Sequence, residues 1–296
     1  MRLYEANGSV IVRRDEYMSH EKLVETWELI KEKCSPWLNA TDYGEQTFYR
    51  GIQFNPKANV LIRPVRTDRK PLDTEPKFHD IANALIAAAG GTANRSNSIF
   101  ITSSLGMASS YGMYTVVILP VGDFNYTWSP QWQDWYGALG LPSFMKTAAV
   151  FLKDNIKRKH LSIDPALEYE YQKKVKDAKN QLDSLQDKSD FRWANSLADY
   201  KELTSDYGKA QYFARHIDDR PDISLLTNPS NYDSQQVKNI ITVDAGLHRA
   251  SMNGAEVMVR CSEAMHIDRS LWELFQMVDA GKEITQSQLD ELNKGL

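Results

Sequence analysis

Hydrophobic residues recur along the chain with two different spacings, and the spacing changes from one region to the next. In residues 15–34, Leu23, Trp27 and Ile30 fall on one stripe and charged residues lie between them. That spacing of three to four predicts an amphipathic helix, because it places the apolar side chains on one face of a 3.6-residue period. Pro36 is predicted to end this helix, since proline lacks the N–H that the helix needs.

Runs of β-branched and aromatic residues predict strands over much of the remaining chain. Glycine, proline and aspartate separate the runs and mark the turns between them. The runs are TFYRGIQF (47–54), SIFITSS (98–104), YTVVILPVG (114–122), DFNYTWSP (123–130), NIITVDAGL (239–247) and AEVMVRC (255–261). They do not alternate regularly with helices, so the pattern favours an α+β fold over a doubly wound parallel sheet.

Other segments differ from these runs. Residues 77–89 predict a helix closed by a glycine pair, whereas 59–76 contains three prolines and many charges and is predicted to be an extended loop. Residues 131–161 are predicted to be helical with interruptions, and 166–217 to be a charged helical hairpin inserted between strands of one sheet system. Two helices separated at Gly281 close the chain. We therefore predict one domain spanning 1–296 with a helical insertion at about 166–217.

Composition narrows the function classes. The chain has 296 residues, 42% hydrophobic and 25% charged, with 35 basic and 39 acidic side chains and a formal net charge of -4. That balance argues against binding nucleic acid by charge alone. Cys34 and Cys261 are expected to be reduced, and the scattered histidines predict no metal site. The longest apolar stretch, Thr115–Val121, is too short to span a bilayer, and the N-terminus does not resemble a signal peptide. The expected localisation is therefore cytoplasmic, without membrane association.

Three short pieces contain the candidate chemistry. An arginine followed by glycine lies in residues 48–51, a hydroxyl run ends 100–104, and a glutamate opens the apolar strand 256–259. Each piece also has an ordinary structural explanation. Arg50 would suit a surface ion pair, the hydroxyls would suit a helix cap, and a lone glutamate is usually solvated.

Taken in order, the three pieces resemble the R-S-E class of ADP-ribosyltransferases. Tyr49-Arg50-Gly51 matches the family's aromatic-Arg-Gly strand, and Thr102-Ser103-Ser104 matches its Ser-Thr-Ser strand with threonine replacing the opening serine. Glu256, followed by Val-Met-Val, matches the last glutamate of the family's Glu-x-Glu motif. The resemblance covers the strand core and leaves out the charged stretch 166–217. It implies an ADP-ribosyltransferase-like split β-sandwich with an N-terminal helix and C-terminal helices.

The resemblance also implies a chemistry, cleavage of NAD at the nicotinamide–ribose bond. That reaction passes through an oxocarbenium-like state that a carboxylate stabilises, and the cofactor's pyrophosphate suits a guanidinium. Glu256 would serve the ribose, Arg50 the pyrophosphate, and Gly51 would allow close backbone approach. The implied catalytic residues are Glu256, Arg50 and Thr102, and the implied NAD-binding residues are Arg50, Gly51, Tyr49, Thr102, Ser103, Ser104 and Tyr111, with no metal. The three hydroxyls would orient the glutamate, and either tyrosine would stack on nicotinamide or pack in the core.

Two departures from the family pattern affect the interpretation. The family often carries a Glu or Gln two residues before the catalytic glutamate, where this chain has Gly254. The acceptor residue therefore stays open, as do plain NAD hydrolysis and loss of transfer. The interval from Thr102 to Glu256 is also long, which requires an insertion. Glu263 is the competing glutamate, and we expect no apolar strand after it.

The leading hypothesis is a mono-ADP-ribosyltransferase that modifies a protein or nucleic-acid acceptor, similar to the toxin and bacteriophage branches of the family. A phage effector acting in the host-cell cytoplasm would suit the absence of a secretion signal. The alternative is a non-catalytic protein of the same fold with a binding or structural role, for example in a virion. A third hypothesis is a nuclease or hydrolase that uses Asp73 and His79.

A second group of charged residues lies between the prolines of 59–76 and further along the chain. Its members are Arg66, Asp68, Arg69, Asp73, His79, Asn94 and Arg95. Such a group would suit a phosphate- or acceptor-binding loop beside the site. A solvated loop held by salt bridges is the simpler explanation.

Overall fold

The computed structural model describes residues 8–53, 56, 58–70, 75–139, 165–185, 191–205, 208–209, 212 and 227–294. Within these ranges nine strands form one antiparallel sheet. The strands are β1 (Ser9–Arg13), β2 (Tyr49–Ile52), β3 (Ala58–Pro64), β4 (Ile99–Thr102), β5 (Tyr114–Val121), β6 (Asn125–Trp128), β7 (Thr242–Val243), β8 (Glu256–Arg260) and β9 (Glu263–Asp268). The predicted α+β class is confirmed at this level.

The sheet order is β1-β3-β9-β5-β2-β4-β8-β6-β7. Most neighbouring strands share a continuous register; β2 and β5 have four paired residues, as do β4 and β8. The junction of β2 and β4 has one pair, Tyr49 opposite Thr102. The sheet therefore consists of a five-stranded and a four-stranded part joined through a single residue pair.

Ten helices accompany the sheet within the described ranges. They are α1 (His20–Ala40), α2 (Pro76–Ala88), α3 (Leu105–Ser110), α4 (Trp135–Leu139), α5 (Pro165–Ser184), α6 (Phe191–Thr204), α7 (Ser234–Lys238), α8 (Leu247–Met252), α9 (Arg269–Asp279) and α10 (Gln286–Lys294). None of these helices combines the length and apolar character needed to cross a bilayer.

The first helix runs further than its sequence pattern predicts. The Ser19 side chain caps its start by accepting a hydrogen bond from the Lys22 N–H. The prediction that Pro36 ends the helix is wrong, because α1 continues to Ala40. Cys34 leaves helical geometry at φ -114° and ψ 15°, so Pro36 lies in the first turn of a second segment. Proline is tolerated there because those N–H groups have no helical partner.

The main core lies between α1, α9 and the sheet. Trp27 of α1 stacks on Phe275 of α9 at a ring-centroid distance of 5.7 Å and meets Trp272 edge-on at 5.9 Å. At the other end of α1, Trp37 meets Phe48 at 5.5 Å. These rings are among the largest fully buried side chains, and they pack α1 against α9 and against Phe48, the residue before β2.

Two segments adopt structures that the sequence pattern did not predict. The predicted loop at 59–76 is wrong in its first part, because residues 59–64 belong to the buried strand β3, which pairs with β1 and β9. Residues 263–268 form β9, so the expectation that no strand follows Glu263 is wrong. In contrast, the run at 239–247 yields only the short strand β7 before α8 begins.

The chain divides into two compact units. The first comprises residues 1–70, 90–135 and 240–296 and contains the whole sheet. The second comprises 71–89 and 136–239 and contains α2, α5, α6 and α7, so the predicted helical insertion lies within it. Two members of the insertion, α5 and α6, pack together, and the Tyr171 hydroxyl donates to the Leu203 carbonyl at 2.9 Å. Residues 140–161 of the region predicted to be helical with interruptions lie outside the described ranges, as do 186–190, 206–207, 210–211 and 213–217 of the predicted insertion.

Candidate active site

The sheet brings the three sequence motifs onto adjacent strands. β4 lies between β2 and β8. Thr102 is directly opposite Tyr49 on one side and Glu256 on the other. Residues opposite each other in antiparallel strands lie close together on the same face of the pair. Tyr49, Thr102 and Glu256, separated by up to 207 positions in sequence (49 to 256), therefore meet at the single-pair junction of the sheet. Arg50, the next residue on β2, is joined to β4 by its side-chain hydrogen bond to the Phe100 carbonyl.

Glu256 is a buried carboxylate, with 8% of its surface exposed. Its Oε2 accepts a hydrogen bond from the Trp135 N–H at 3.1 Å, and its own N–H donates to the Gln133 carbonyl at 2.7 Å. Burial raises the pKa of Glu256 to about 7 against the opposing effect of Arg95, and the charge of Asp134 raises it further. A carboxylate with a pKa near neutrality is typical of acid–base and charge-stabilising sites.

Three arginines lie around Phe100, which follows Ile99 on β4. Arg50 donates from Nη1 to the Phe100 carbonyl at 2.9 Å, and Arg69 donates from Nη1 to the Ser98 carbonyl at 2.8 Å. The guanidinium carbons of Arg69 and Arg95 lie 4.9 and 5.3 Å from the centre of the Phe100 ring. The Phe100 ring therefore makes cation–π contacts with Arg69 and Arg95, while Arg50 is hydrogen-bonded to the Phe100 main chain.

The arginines repel one another and are attracted to the glutamate. Burial lowers the pKa of Arg69 to about 9, and the nearby charges of Arg50, Arg66 and Arg95 add to that effect. Burial also lowers the pKa of Arg50 and of Arg95, while the charge of Glu256 raises both. Arginine side chains are not deprotonated in proteins at neutral pH. The described site therefore contains more positive than negative charge, and an anionic ligand would reduce the repulsion between the arginines.

The hydroxyl motif is hydrogen-bonded to the main chain of the residues that precede Glu256. Thr102 Oγ1 donates to the Gly254 carbonyl at 2.9 Å and accepts from the Ser104 N–H at 3.1 Å. Ser103 Oγ donates to the Ser251 carbonyl. Ser104 Oγ caps α3 by accepting from the Met107 N–H at 3.2 Å. The first two hydroxyls thus fix the chain just before Glu256, and the third has the ordinary capping role.

Gly51 is required by the packing of α3. A side-chain carbon at this position would lie 2.1 Å from the Ala108 carbonyl oxygen and 2.8 Å from the Gly112 nitrogen. Gly112 is equally close to β2, since its added carbon would meet the Ile52 backbone at 2.3 Å. The close approach that Gly51 permits is therefore filled by the backbone of this chain, and its contact with NAD stays a prediction.

A residue that the motifs do not include completes the site. The Tyr111 hydroxyl forms a hydrogen bond with the carboxylate of Asp134, and burial together with this bond raises the pKa of the tyrosine. Asp134 lies on the segment between β6 and α4, within the aromatic sequence Gln-Trp-Gln-Asp-Trp-Tyr. It is the one acidic residue there, but neither spacing nor composition connects it to Glu256. The stacking of Tyr49 or Tyr111 on nicotinamide stays a prediction.

The charged group predicted near 59–76 separates into different environments. Arg69 and Arg95 join the site around Phe100, whereas Arg66 pairs with Asp68 at 3.4 Å as exposed residues. The salt-bridge explanation therefore applies to Arg66 and Asp68, and phosphate or acceptor binding by Arg69 and Arg95 stays a prediction. His79 is buried in α2, and Asp73 lies outside the described residues.

The two competing glutamates occupy different parts of the sheet. Glu263 begins β9, between β3 and β5, and lies opposite Pro64 and Val121. Glu256 lies opposite Thr102. Gly254 adopts a positive φ of 62°, and a side-chain carbon there would lie 3.3 Å from Ser104 Cβ. An L-residue would be strained at this position, which gives a structural reason for glycine where the family pattern has Glu or Gln.

Comparison of the chain with protein-family models, with curated proteins and with solved structures finds no match. Among the residues that the structure describes, no group of three or more histidine, cysteine, aspartate or glutamate side chains is arranged to hold a metal ion.

Proposed function

We propose that the protein is a mono-ADP-ribosyltransferase that cleaves NAD at the nicotinamide–ribose bond and transfers ADP-ribose to a macromolecular acceptor, protein or nucleic acid. One observation carries the proposal. Three guanidinium groups lie around Phe100 while a buried carboxylate, Glu256, lies near enough to interact with each of them. A ligand with two phosphates and a ribose that becomes cationic would place its phosphates at the guanidinium groups and its ribose at the carboxylate.

The arginines suit the pyrophosphate. Guanidinium groups bind phosphate oxygens through paired N–H donors, and Arg50 and Arg69 are already oriented by backbone carbonyls. Burial is the main cause of the lowered pKa of Arg69, and repulsion from the neighbouring arginines adds to it. An anion between the arginines would offset that repulsion. The positive charge is therefore best explained as a binding site for a phosphorylated ligand.

The glutamate suits the ribose. Loss of nicotinamide leaves positive charge on the sugar ring, and an ionised carboxylate held in a water-poor site stabilises that charge. Burial raises the pKa of Glu256 to about 7. A cationic nicotinamide ring nearby would lower this pKa and favour the ionised form when NAD is bound.

One feature favours the alternative, a non-catalytic protein that uses the same arrangement for binding. Glu256 and the hydroxyls of Thr102 and Ser103 all hydrogen-bond to main-chain groups. Such bonds also occur in sites with a purely structural role. Activity is therefore the observation that separates the two functions.

The test is nicotinamide release from NAD by the purified protein, with and without a bacterial lysate as the source of acceptor. Glu256→Gln should reduce release by about 10²–10³-fold, as expected when an electrostatic stabiliser is removed. Glu263→Gln is the matched control and should behave as the wild type, because Glu263 is exposed on another strand. A lysate requirement would indicate transfer, whereas equal release without lysate would indicate hydrolysis.

Two outcomes would reject the enzymatic proposal. The first is no nicotinamide release by the wild type in either condition; if calorimetry then detects no NAD binding, the phosphate-binding assignment fails as well. The second is normal release by Glu256→Gln. NAD binding without release would support the non-catalytic alternative.

A further inference from the structure

A second carboxylate is held beside Glu256 by a segment that the motif resemblance does not include. The Glu256 N–H donates to the Gln133 carbonyl at 2.7 Å, and the Trp135 N–H donates to Glu256 Oε2 at 3.1 Å. Asp134 lies between these two hydrogen-bonded residues in the chain. Its backbone is thereby fixed against the start of β8, one residue from each contact with the glutamate.

The segment that carries Asp134 is anchored at several points. Ser129 Oγ accepts hydrogen bonds from the Gln131 and Trp132 N–H groups, both at 3.2 Å. Gln133 Nε2 donates to the Asn253 carbonyl at 2.9 Å. The rings of Trp132 and Trp135 also meet edge-on at 5.1 Å. These contacts give Asp134 a defined position, as a reacting group requires.

Tyr111 orients the Asp134 side chain. The tyrosine follows α3 and is 39% exposed, and its hydroxyl is bonded to the Asp134 carboxylate. Because the pKa of Tyr111 is raised, the hydroxyl keeps its proton at neutral pH and acts as the donor. The half-buried Asp134 carboxylate therefore accepts this hydrogen bond, while Glu256 is buried.

Two adjacent carboxylates in different environments are suited to different tasks. The buried one can stabilise charge on the sugar, and the oriented one can accept a proton from an incoming nucleophile. We propose that Asp134 is the general base of the transfer step and that the acceptor attacks through a neutral hydroxyl or amide group. This inference depends on the proposed function, since it assigns a role within that reaction.

The step balances without another reactant. The bond between ribose C1′ and the nicotinamide nitrogen breaks, and its electron pair leaves with nicotinamide. A lone pair of the acceptor oxygen or nitrogen forms the new bond to C1′. The proton of that oxygen or nitrogen passes to the Asp134 carboxylate and then to water.

Chemical rescue tests the assignment. Asp134→Asn should lower turnover about 10²-fold with methanol as a neutral nucleophile, because general-base catalysis contributes roughly that factor or more. Sodium azide should restore nicotinamide release in this variant, because the azide anion needs no deprotonation. Asp123→Asn, an exposed aspartate in the turn before β6, is the matched control and should keep wild-type rates with both nucleophiles.

A second measurement does not require turnover. The charge of Asp134 raises the pKa of Glu256, and Arg95 and Arg50 lower it. Asp134→Asn removes the first effect and retains the other two, so an NMR titration of the Glu256 carboxyl should move to lower pH. Tyr111→Phe should leave that titration nearly unchanged and should slow methanol transfer less than Asp134→Asn does.

The outcomes separate the two proposals. If the wild type releases no nicotinamide with any nucleophile, the proposed function fails and the general base fails with it. If Glu256→Gln is inactive while Asp134→Asn keeps wild-type methanol transfer, only the Asp134 assignment is overturned. Loss of turnover in Asp134→Asn without azide rescue would likewise overturn it.

Discussion

The starts of β8 and β9 present the same local pattern in different surroundings. Each strand begins with a glutamate followed by apolar residues, yet Glu256 is buried and Glu263 is exposed. The difference comes from the segment containing Trp135, which covers Glu256 and donates a hydrogen bond to it. A carboxylate therefore acquires its chemical character from the elements packed around it and not from the strand it begins.

Charge reversal at the two positions should produce the largest difference in stability. Glu256→Lys places a cation next to Arg50 and Arg95 in a buried site and removes their carboxylate, so the free energy of unfolding should fall by about 3–5 kcal/mol. Glu263→Lys should change it by less than about 0.5 kcal/mol. Urea unfolding followed by tryptophan fluorescence measures both values. Equal losses would contradict the contrast between the two strands.

The pH dependence of stability should distinguish the same two glutamates. The pKa of Glu256 is raised from 4.5 to about 7, so the folded state holds a proton that the unfolded state releases between these values. The stabilisation is complete below pH 4.5 and is lost as the pH rises through 7, which amounts to about 3 kcal/mol. Glu256→Gln should remove that component, and Glu263→Gln should retain it. The measurement is the free energy of unfolding from pH 5 to 8.

Besides burial, three nearby charged residues affect the pKa of Glu256. Arg95 and Arg50 lower its pKa, and Asp134 raises it. All three remain in the Gln variant, so the comparison isolates the glutamate itself. Parallel pH profiles for the wild type and Glu256→Gln would contradict the raised pKa.

The smallest predicted effect concerns the packing of α3 against β2. Gly51→Ala should lower the free energy of unfolding by about 1–3 kcal/mol, because the new methyl would overlap the Ala108 carbonyl. Gly106→Ala, within α3 where no atom lies within 4 Å, should be neutral or stabilising by up to about 1 kcal/mol. Thermal unfolding compares the pair, and equal effects would argue against the close contact of α3 with β2.

Sequence patterns predicted the elements whose burial follows a simple period. The stripe of Leu23, Trp27 and Ile30 is buried in α1, and the strands containing Arg50 and Thr102 formed at the expected places. The pattern failed at β3, because prolines and charges around residues 59–76 outweighed the short apolar run Val60–Ile62. The main-chain hydrogen bonds of β3 are made with β1 and β9. Such long-range pairing cannot be read from the residues of β3 alone.

In the candidate site, too, some residues could be predicted from the sequence and others could not. The motif residues Arg50, Thr102 and Glu256 were identified from order and local context, since each lies in a recognisable strand. The sequence places Arg69 and Arg95 in a charged group that would suit phosphate binding beside the site, but it does not indicate Asp134. Nothing in its own segment relates it to a glutamate 122 positions later (134 to 256).

By itself the sequence determined the α+β class, the helix and strand segments with clear periodicity, and three motifs in a defined order. The tertiary structure decided which glutamate meets the hydroxyl strand, which arginines gather around Phe100, and which second carboxylate lies beside Glu256. The physical reason is that periodicity depends on neighbours along the chain, whereas the burial and charge that set a pKa depend on neighbours in space.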